Sequence, residues 1–158
     1  MDWYDVTDKY HELTIAEDGR LESLPEVWQR ELAAVSRLEA DVNNGGYLQF
    51  ITNWGEESYR YGLAALQNMG ANKMARIISD CQSTLAAAVN IDKMSPAERH
   101  SLMPNQGFDL DGNEIKEAGS ILQDSTLQKI YDLSDEFMDY PDDLPELGLK
   151  YYRSFIQR

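Results

Sequence analysis

Four carboxylates, Asp132, Asp135, Glu136 and Asp139, stand at i, i+3, i+4 and i+7. On a helix turning about 100° per residue they fall within a sector of roughly 100°. Leu127, Ile130, Leu133 and Phe137 fall on the other side, and Lys129 is the only base on the acidic face. Asp142, Asp143 and Glu146 continue the acidic run beyond Pro141. Such a row either solvates a helix face or attracts a basic surface. Its charges span about 10 Å of helix axis, an axial density of the same order as that of duplex DNA, with one charge per roughly 1.7 Å.

Catalytic and metal chemistry find less support. Asp109-Leu110-Asp111-Gly112-Asn113-Glu114 has the look of a calcium loop, but Gly comes fourth rather than sixth, and position twelve is Ser120 rather than Glu. Turn and cap chemistry explains these acids, so no metal is assigned and Asp109 and Asp111 join the acidic candidates. The only histidines, His11 and His100, sit in polar surroundings outside any zinc or hydrolase motif. Gly45-Gly46 precedes a helix, but no Lys follows it as in a phosphate loop. No catalytic residue and no cofactor is expected. Glu31 and Glu39 are unusual, since helical spacing places them inside an apolar sector. A carboxylate there must be hydrogen-bonded. Glu39 is expected to accept from the turn around Asn43 to Tyr47, with solvent access at the sector's rim as the alternative.

These residues are positioned by a pattern that is helical almost throughout. Ser23-Leu24-Pro25-Glu26 reads as a helix start with Ser23 as cap. Val27, Trp28, Leu32, Val35, Leu38 and Val42 then share one side. Asn43-Asn44-Gly45-Gly46 reads as a stop. Helices are expected at about 47–53, 56–69 and 71–89, the last with Met74, Ile77, Ile78, Cys81 and Leu85 inward. Ser95-Pro96-Ala97-Glu98 begins a short helix, 104–113 is a loop, and helices follow at about 120–140 and 144–156. No alternating strand appears, so the expected fold is all-α, one domain over 1–158 with about six to eight helices.

The 158 residues include 28 acidic and 14 basic ones, a net charge of −14. Residues 1–50 and 109–158 carry −7 each, and 51–108 are neutral. Such acidity disfavours direct contact with nucleic acid or an anionic membrane and favours a basic partner. Cys81 is alone, the apolar runs are short and the first residues lack a signal pattern, so a cytoplasmic location is expected. Trp3, Tyr4 and Trp54 fit either the core, which is favoured, or a homodimer contact.

Leu38-Glu39-Ala40-Asp41-Val42-Asn43-Asn44-Gly45-Gly46-Tyr47-Leu48-Gln49-Phe50-Ile51-Thr52-Asn53 resembles the signature of the bacterial DNA-mimic protein family: a Glu, then Val-Asn-Asn-Gly-Gly-aromatic, then Gln-Phe and an Asn. The block Ala64 to Ala71 and the late Leu133-Ser134-Asp135-Glu136-Phe137 and Tyr151-Tyr152 are similar to it as well. The resemblance runs from about Pro25 onward. It implies a small acidic all-α protein, and it implies dimerisation and occupation of a DNA-binding transcription factor in place of duplex DNA. The signature residues Glu39, Asn43, Asn44, Gly45, Gly46, Tyr47, Gln49, Phe50 and Asn53 are read as structural, with Tyr47 and Phe50 packed inward. The expected function is therefore non-catalytic binding of a basic, DNA-binding protein through Asp132, Asp135, Glu136, Asp139, Asp142, Asp143, Glu146, Asp109 and Asp111. The alternative is an immunity or regulatory protein that inhibits a toxin or nuclease. A third reading is an enzyme using Glu39, or Asp109 and Asp111, with a metal.

Overall fold

The middle of the first rod of the longest helix, residues 31–39, is enclosed on every side by the other elements. In the computed structural model, which describes residues 2–104 and 119–157, the α-helices are α1 (Trp3–Ile15), α2 (Val27–Met69), α3 (Asn72–Ala88), α4 (Pro96–Arg99), α5 (Asp124–Met138) and α6 (Leu144–Ile156). Short 3-10 turns lie at Leu21–Ser23, Ile91–Lys93 and His100–Leu102. Among the described residues there is no strand, and no helix is long and apolar enough to cross a membrane.

α2 is one hydrogen-bonded run of 43 residues, but Gly45, Gly46 and Gly55 leave helical geometry inside it. It therefore forms three rods, 27–44, 47–54 and 56–69, close to the three helices that the sequence pattern predicts. The first and third rods lie antiparallel. Glu31 pairs with Asn68, Arg30 with Tyr61 and Arg37 with Ser58, while Gly62 lies against Ala34 and Leu38. The reversal needs glycine at position 46, where φ is +80° and a Cβ would approach Ser134 Oγ to 3.2 Å. The Ser134 hydroxyl meets the break there, accepting from Tyr47 N–H at 3.0 Å and donating to Ile130 C=O at 2.8 Å. Asn43 and Asn44 stay helical, so the stop is made by the glycines alone.

Residues 31–39 are all buried, including Glu31, Ser36, Arg37 and Glu39. A helix buried all round has no solvated face on which to place charge. α1, absent from the sequence reading, supplies part of the cover. Asp2 caps it by accepting from Tyr4 and Asp5 N–H, and Trp3, Val6, Thr7, Tyr10 and Thr14 form its inner face. Trp3 is only 1% exposed, which settles it as core. Trp54 is half-buried and Tyr4 is exposed.

Two expected caps differ in outcome. Ser95 does cap α4 in a reciprocal box with Glu98. Ser23 does not cap α2: its hydroxyl donates to Arg20 C=O, and Glu26 forms the capping box with Gln29. The cap moves because residues 21–23 close a 3-10 turn that places Leu21 and Leu24 in the core.

The indole of Trp3 presses close to the backbone of α6 at Gly148. A Cβ at Gly148 would come within 2.2 Å of its ring. Gly148→Ala should thus destabilise by about 1–3 kcal/mol through overpacking, although Ala is the better helix former. Thermal unfolding should show a fall of several degrees, at ~2–4 °C per kcal/mol. An unchanged or raised midpoint would contradict this packing.

Candidate functional site

α5 presents two unlike faces. Ile130, Leu133, Ser134 and Phe137 are buried, whereas Asp132, Asp135, Glu136 and Asp139 are exposed. The apolar residues claim the inner side, so the acids at the complementary spacing must face water. Asp132 accepts from Gln128 at 2.8 Å, and none of the four acids is in an ion pair among the described residues. The salt bridges present there, Arg20–Glu17 and Arg76–Asp80, lie on other elements.

The acids beyond α5 are occupied differently. Asp142 is half-buried and accepts from the N–H groups of Lys73 and Met74 at 2.8 and 2.9 Å, capping the start of α3. The α3 N-cap position is Ala71, which has no side chain to do so. Asp143 is the N-cap of α6, accepting from Glu146 N–H at 3.0 Å, and Glu146 itself is exposed. Asp109 and Asp111 lie outside the described residues.

The signature block builds the turn that the first and middle rods share. Asp41 accepts from Gln49 at 2.9 Å, Asn53 at 3.0 Å and Trp54 Nε1 at 2.8 Å. Asn44 donates to Gln49, and Asn43 donates to the Tyr140 hydroxyl at 2.7 Å. Tyr47 and Phe50 are fully buried, as expected, and the Tyr47 hydroxyl donates to Gln82, which in turn donates to Glu56. Asp41 was not singled out by the sequence reading. Its spacing of eight, twelve and thirteen residues to its donors only becomes a contact once Gly46 turns the chain.

Glu31 and Glu39 are buried, at 5% exposure each. Glu39 does not accept from the turn at Asn43 to Tyr47. Trp3 Nε1 donates to it at 3.1 Å and the Tyr140 hydroxyl at 3.3 Å. The turn acts only indirectly, through the bond from Asn43 to Tyr140. The reason is direction: a helical side chain points outward to whatever packs on it, here α1 and Tyr140, two residues past the end of α5. Burial pushes the Glu39 carboxyl up to about 7, against the pull of its two donors, and nearby Asp8 adds to the rise. Glu31 is also raised by burial, while Tyr152 and Asn68 donate to it at 2.7 and 2.9 Å.

Arg37 is the buried cation of the same rod. It donates to Ser58 Oγ, Thr14 Oγ1, Gly19 C=O and His11 Nδ1, and lies 4.0 Å over the Trp54 ring. Among the described residues no carboxylate is within ion-pair distance of it. Burial lowers it to about 10, so it stays charged at neutral pH. His11 accepts from Arg37, and burial, helped by that charge, lowers its titration.

Among the described residues, no group of three or more His, Cys, Asp or Glu side chains could hold a metal ion. Cys81 is buried and its thiol is pushed up to about 12, far from a reactive thiolate. What the arrangement offers chemically is a fixed array of carboxylates over a rigid helical body.

A family model described as DMP19-like protein matches residues 22–156. That span takes in α2 to α6 in full and leaves out α1. No curated protein and no solved structure matches the chain.

Glu39 makes stability depend on pH in a definite direction. The ordinary value is 4.5 and the folded value about 7, so in between the folded chain holds a proton that the unfolded chain has released. This stabilising contribution is complete below about pH 4.5 and is lost as pH rises to about 7, about 3 kcal/mol in all at ~1.4 kcal/mol per pH unit. His11, lowered in the fold, contributes with the opposite slope. Comparison with Glu39→Gln isolates the carboxyl. Between pH 5 and 8 the wild type should lose about 2–3 kcal/mol relative to that variant in urea unfolding. A constant difference would mean Glu39 titrates normally.

Proposed function

Since the chain belongs to the DMP19-like protein family, we propose that it is a non-catalytic binding protein whose exposed carboxylates stand in for DNA phosphates on a basic, DNA-binding protein such as a transcription factor. The observation that carries this reading is the acidic face of α5. Asp132 to Asp139 is seven residue steps, about 10 Å at roughly 1.5 Å each. Four charges over that length average about 3.5 Å apart, close to the ~3.4 Å axial spacing of phosphates along one DNA strand. They are exposed and without cationic partners among the described residues, so their field reaches outward instead of being neutralised within the fold.

Asp143 and Glu146 extend the acidic surface while also starting α6. Asp142 contributes less, because its carboxylate is held by the backbone of α3. Net charge alone would not make this argument. The fixed backbone does, because it holds the acids in register on a helix whose other face is anchored in the core.

Capture of partners from a lysate at two salt concentrations tests the reading. At low salt the protein should retain a DNA-binding protein, and added duplex DNA should displace it. Affinity should fall steeply as salt rises. Replacing Asp132, Asp135 and Asp139 by Asn and Glu136 by Gln should weaken capture at least tenfold while leaving thermal unfolding within a few degrees of the wild type. Capture that survives both high salt and this fourfold substitution would overturn mimicry by α5. Recovery of a basic toxin or nuclease instead would favour an inhibitor role.

A further inference from the structure

A second acidic feature lies at the C-terminal end of the α5 stripe and faces another way into the fold. A cleft of about 230 Å³ opens between α1, the first rod of α2 and the residue that follows Asp139. Its lining includes Tyr4, Asp8, Ser36, Glu39, Asn43 and Tyr140. No Lys, Arg or His is among the lining residues. Ser36 donates to one Asp8 oxygen at 2.8 Å, and no side chain of the described residues occupies the other. Neither Asp8 nor Glu39 is in an ion pair among the described residues. The cleft thus gathers two carboxylates, two phenol oxygens and an exposed tyrosine ring with nothing cationic to balance them. Its volume is below the ~300–1,000 Å³ of sites for drug-sized ligands, and suits a group the size of one side chain.

We propose that this cleft receives one basic side chain, arginine or lysine, of the protein that the acidic surface binds. The proposal rests on the binding function put forward above and adds to it a specific anchor point. A guanidinium or ammonium entering here meets the free oxygen of Asp8 and the carboxylate of Glu39, with the Tyr4 ring beside it for cation–π contact. Long-range charge guides the encounter, whereas this pair of acceptors, Asp8 exposed at the mouth and Glu39 buried behind it, selects where a basic residue must stand. The groups that face Glu39 are Trp3, Tyr4 and Asp8 from α1 and Tyr140 from beyond α5. None of them is cationic, and among the described residues no cation is paired with Glu39. Entry of the basic side chain favours the carboxylate, and the Glu39 proton leaves to solvent. Binding should therefore release a proton near neutral pH and tighten as pH rises from 6 to 8.

The test uses the full chain with N-acetylarginine amide and N-acetyllysine amide. N-acetylcitrulline amide serves as the neutral isostere of the arginine probe. Carbon-13 NMR of the Glu39 carboxyl reads both occupancy and titration. A cationic probe at ten times its Kd should lower the Glu39 midpoint by up to about one pH unit, and the citrulline probe should leave it in place. Asp8→Asn, which keeps an oxygen for the Ser36 hydroxyl, should weaken the arginine probe at least fivefold. An equal effect of the citrulline probe, or unchanged binding in Asp8→Asn, would overturn the proposal. Spermidine binding more than tenfold tighter than the arginine probe would reassign the cleft to a free polyamine. Failure here would leave salt-dependent capture by α5 untouched. Failure of capture alone would remove the partner and leave the cleft's cation chemistry standing.

Discussion

Enclosure of the first rod of α2 is the constraint from which most of the structure follows. Because residues 31–39 are buried on every side, each polar group there must find its partner in a different neighbour. Glu31 reaches Tyr152 on α6 and Asn68 on the third rod, Ser36 reaches Asp8 on α1, and Glu39 reaches Trp3 on α1 and Tyr140 after α5. Arg37 ties together α1, the loop behind it and the third rod. Among the described residues no buried side-chain nitrogen or oxygen lacks a hydrogen-bond partner. The buried charges are met by neutral groups rather than by each other. Removing one partner would strand a charge in the interior, a larger loss than any surface pair could represent. These contacts also fix one arrangement of helices, since each can form only with its own neighbour in place.

The acids divide by what they do. Glu31 and Glu39 are interior acceptors. Asp2, Asp142 and Asp143 hold helix starts, and Asp41 holds the glycine turn. Among the described residues the α5 acids are bound to nothing cationic. Exposed carboxylates of this last kind contribute an outward field, and on α5 that field is ordered, which the formal charge of −14 does not convey. Order comes from Phe137, Leu133 and Ile130, which lock the opposite face of the helix into the core.

The signature block and the acidic face are joined mechanically. Gly46 lets the backbone press against Ser134, one residue before Asp135, and Asn43 holds Tyr140, one residue after Asp139. The turn therefore grips the acidic helix near its middle and just past its end. Residues with no charge of their own thus decide where the charges stand. The family match covers both parts.

Periodicity and breakers are local properties, and the sequence carried them well. The helical class, the breaks at Gly45-Gly46 and Gly55, the inward faces of α3 and α5 and the box at Ser95 all follow from residue type and spacing over at most a few turns. The burial of Glu31 and Glu39 was legible for the same reason, since it needs only the angular position of each residue among apolar neighbours. Their partners were not legible. Trp3 is 36 residues from Glu39, Tyr140 is 101, and Tyr152 is 121 from Glu31. Whether α2 runs straight or folds back is also invisible to a pattern, because a glycine permits a reversal without dictating its direction. The cap at α3 shows the division most plainly. Residue types near Ala71 predict a poorly capped helix, and the missing acceptor arrives from Asp142, about seventy residues away, only because α3 and α5 pack together. The sequence determined which faces would be hidden and which charged. The tertiary structure decided which charges are used up in holding the fold and which stay free, because that depends on what each carboxylate finds within about 3 Å once the chain is closed.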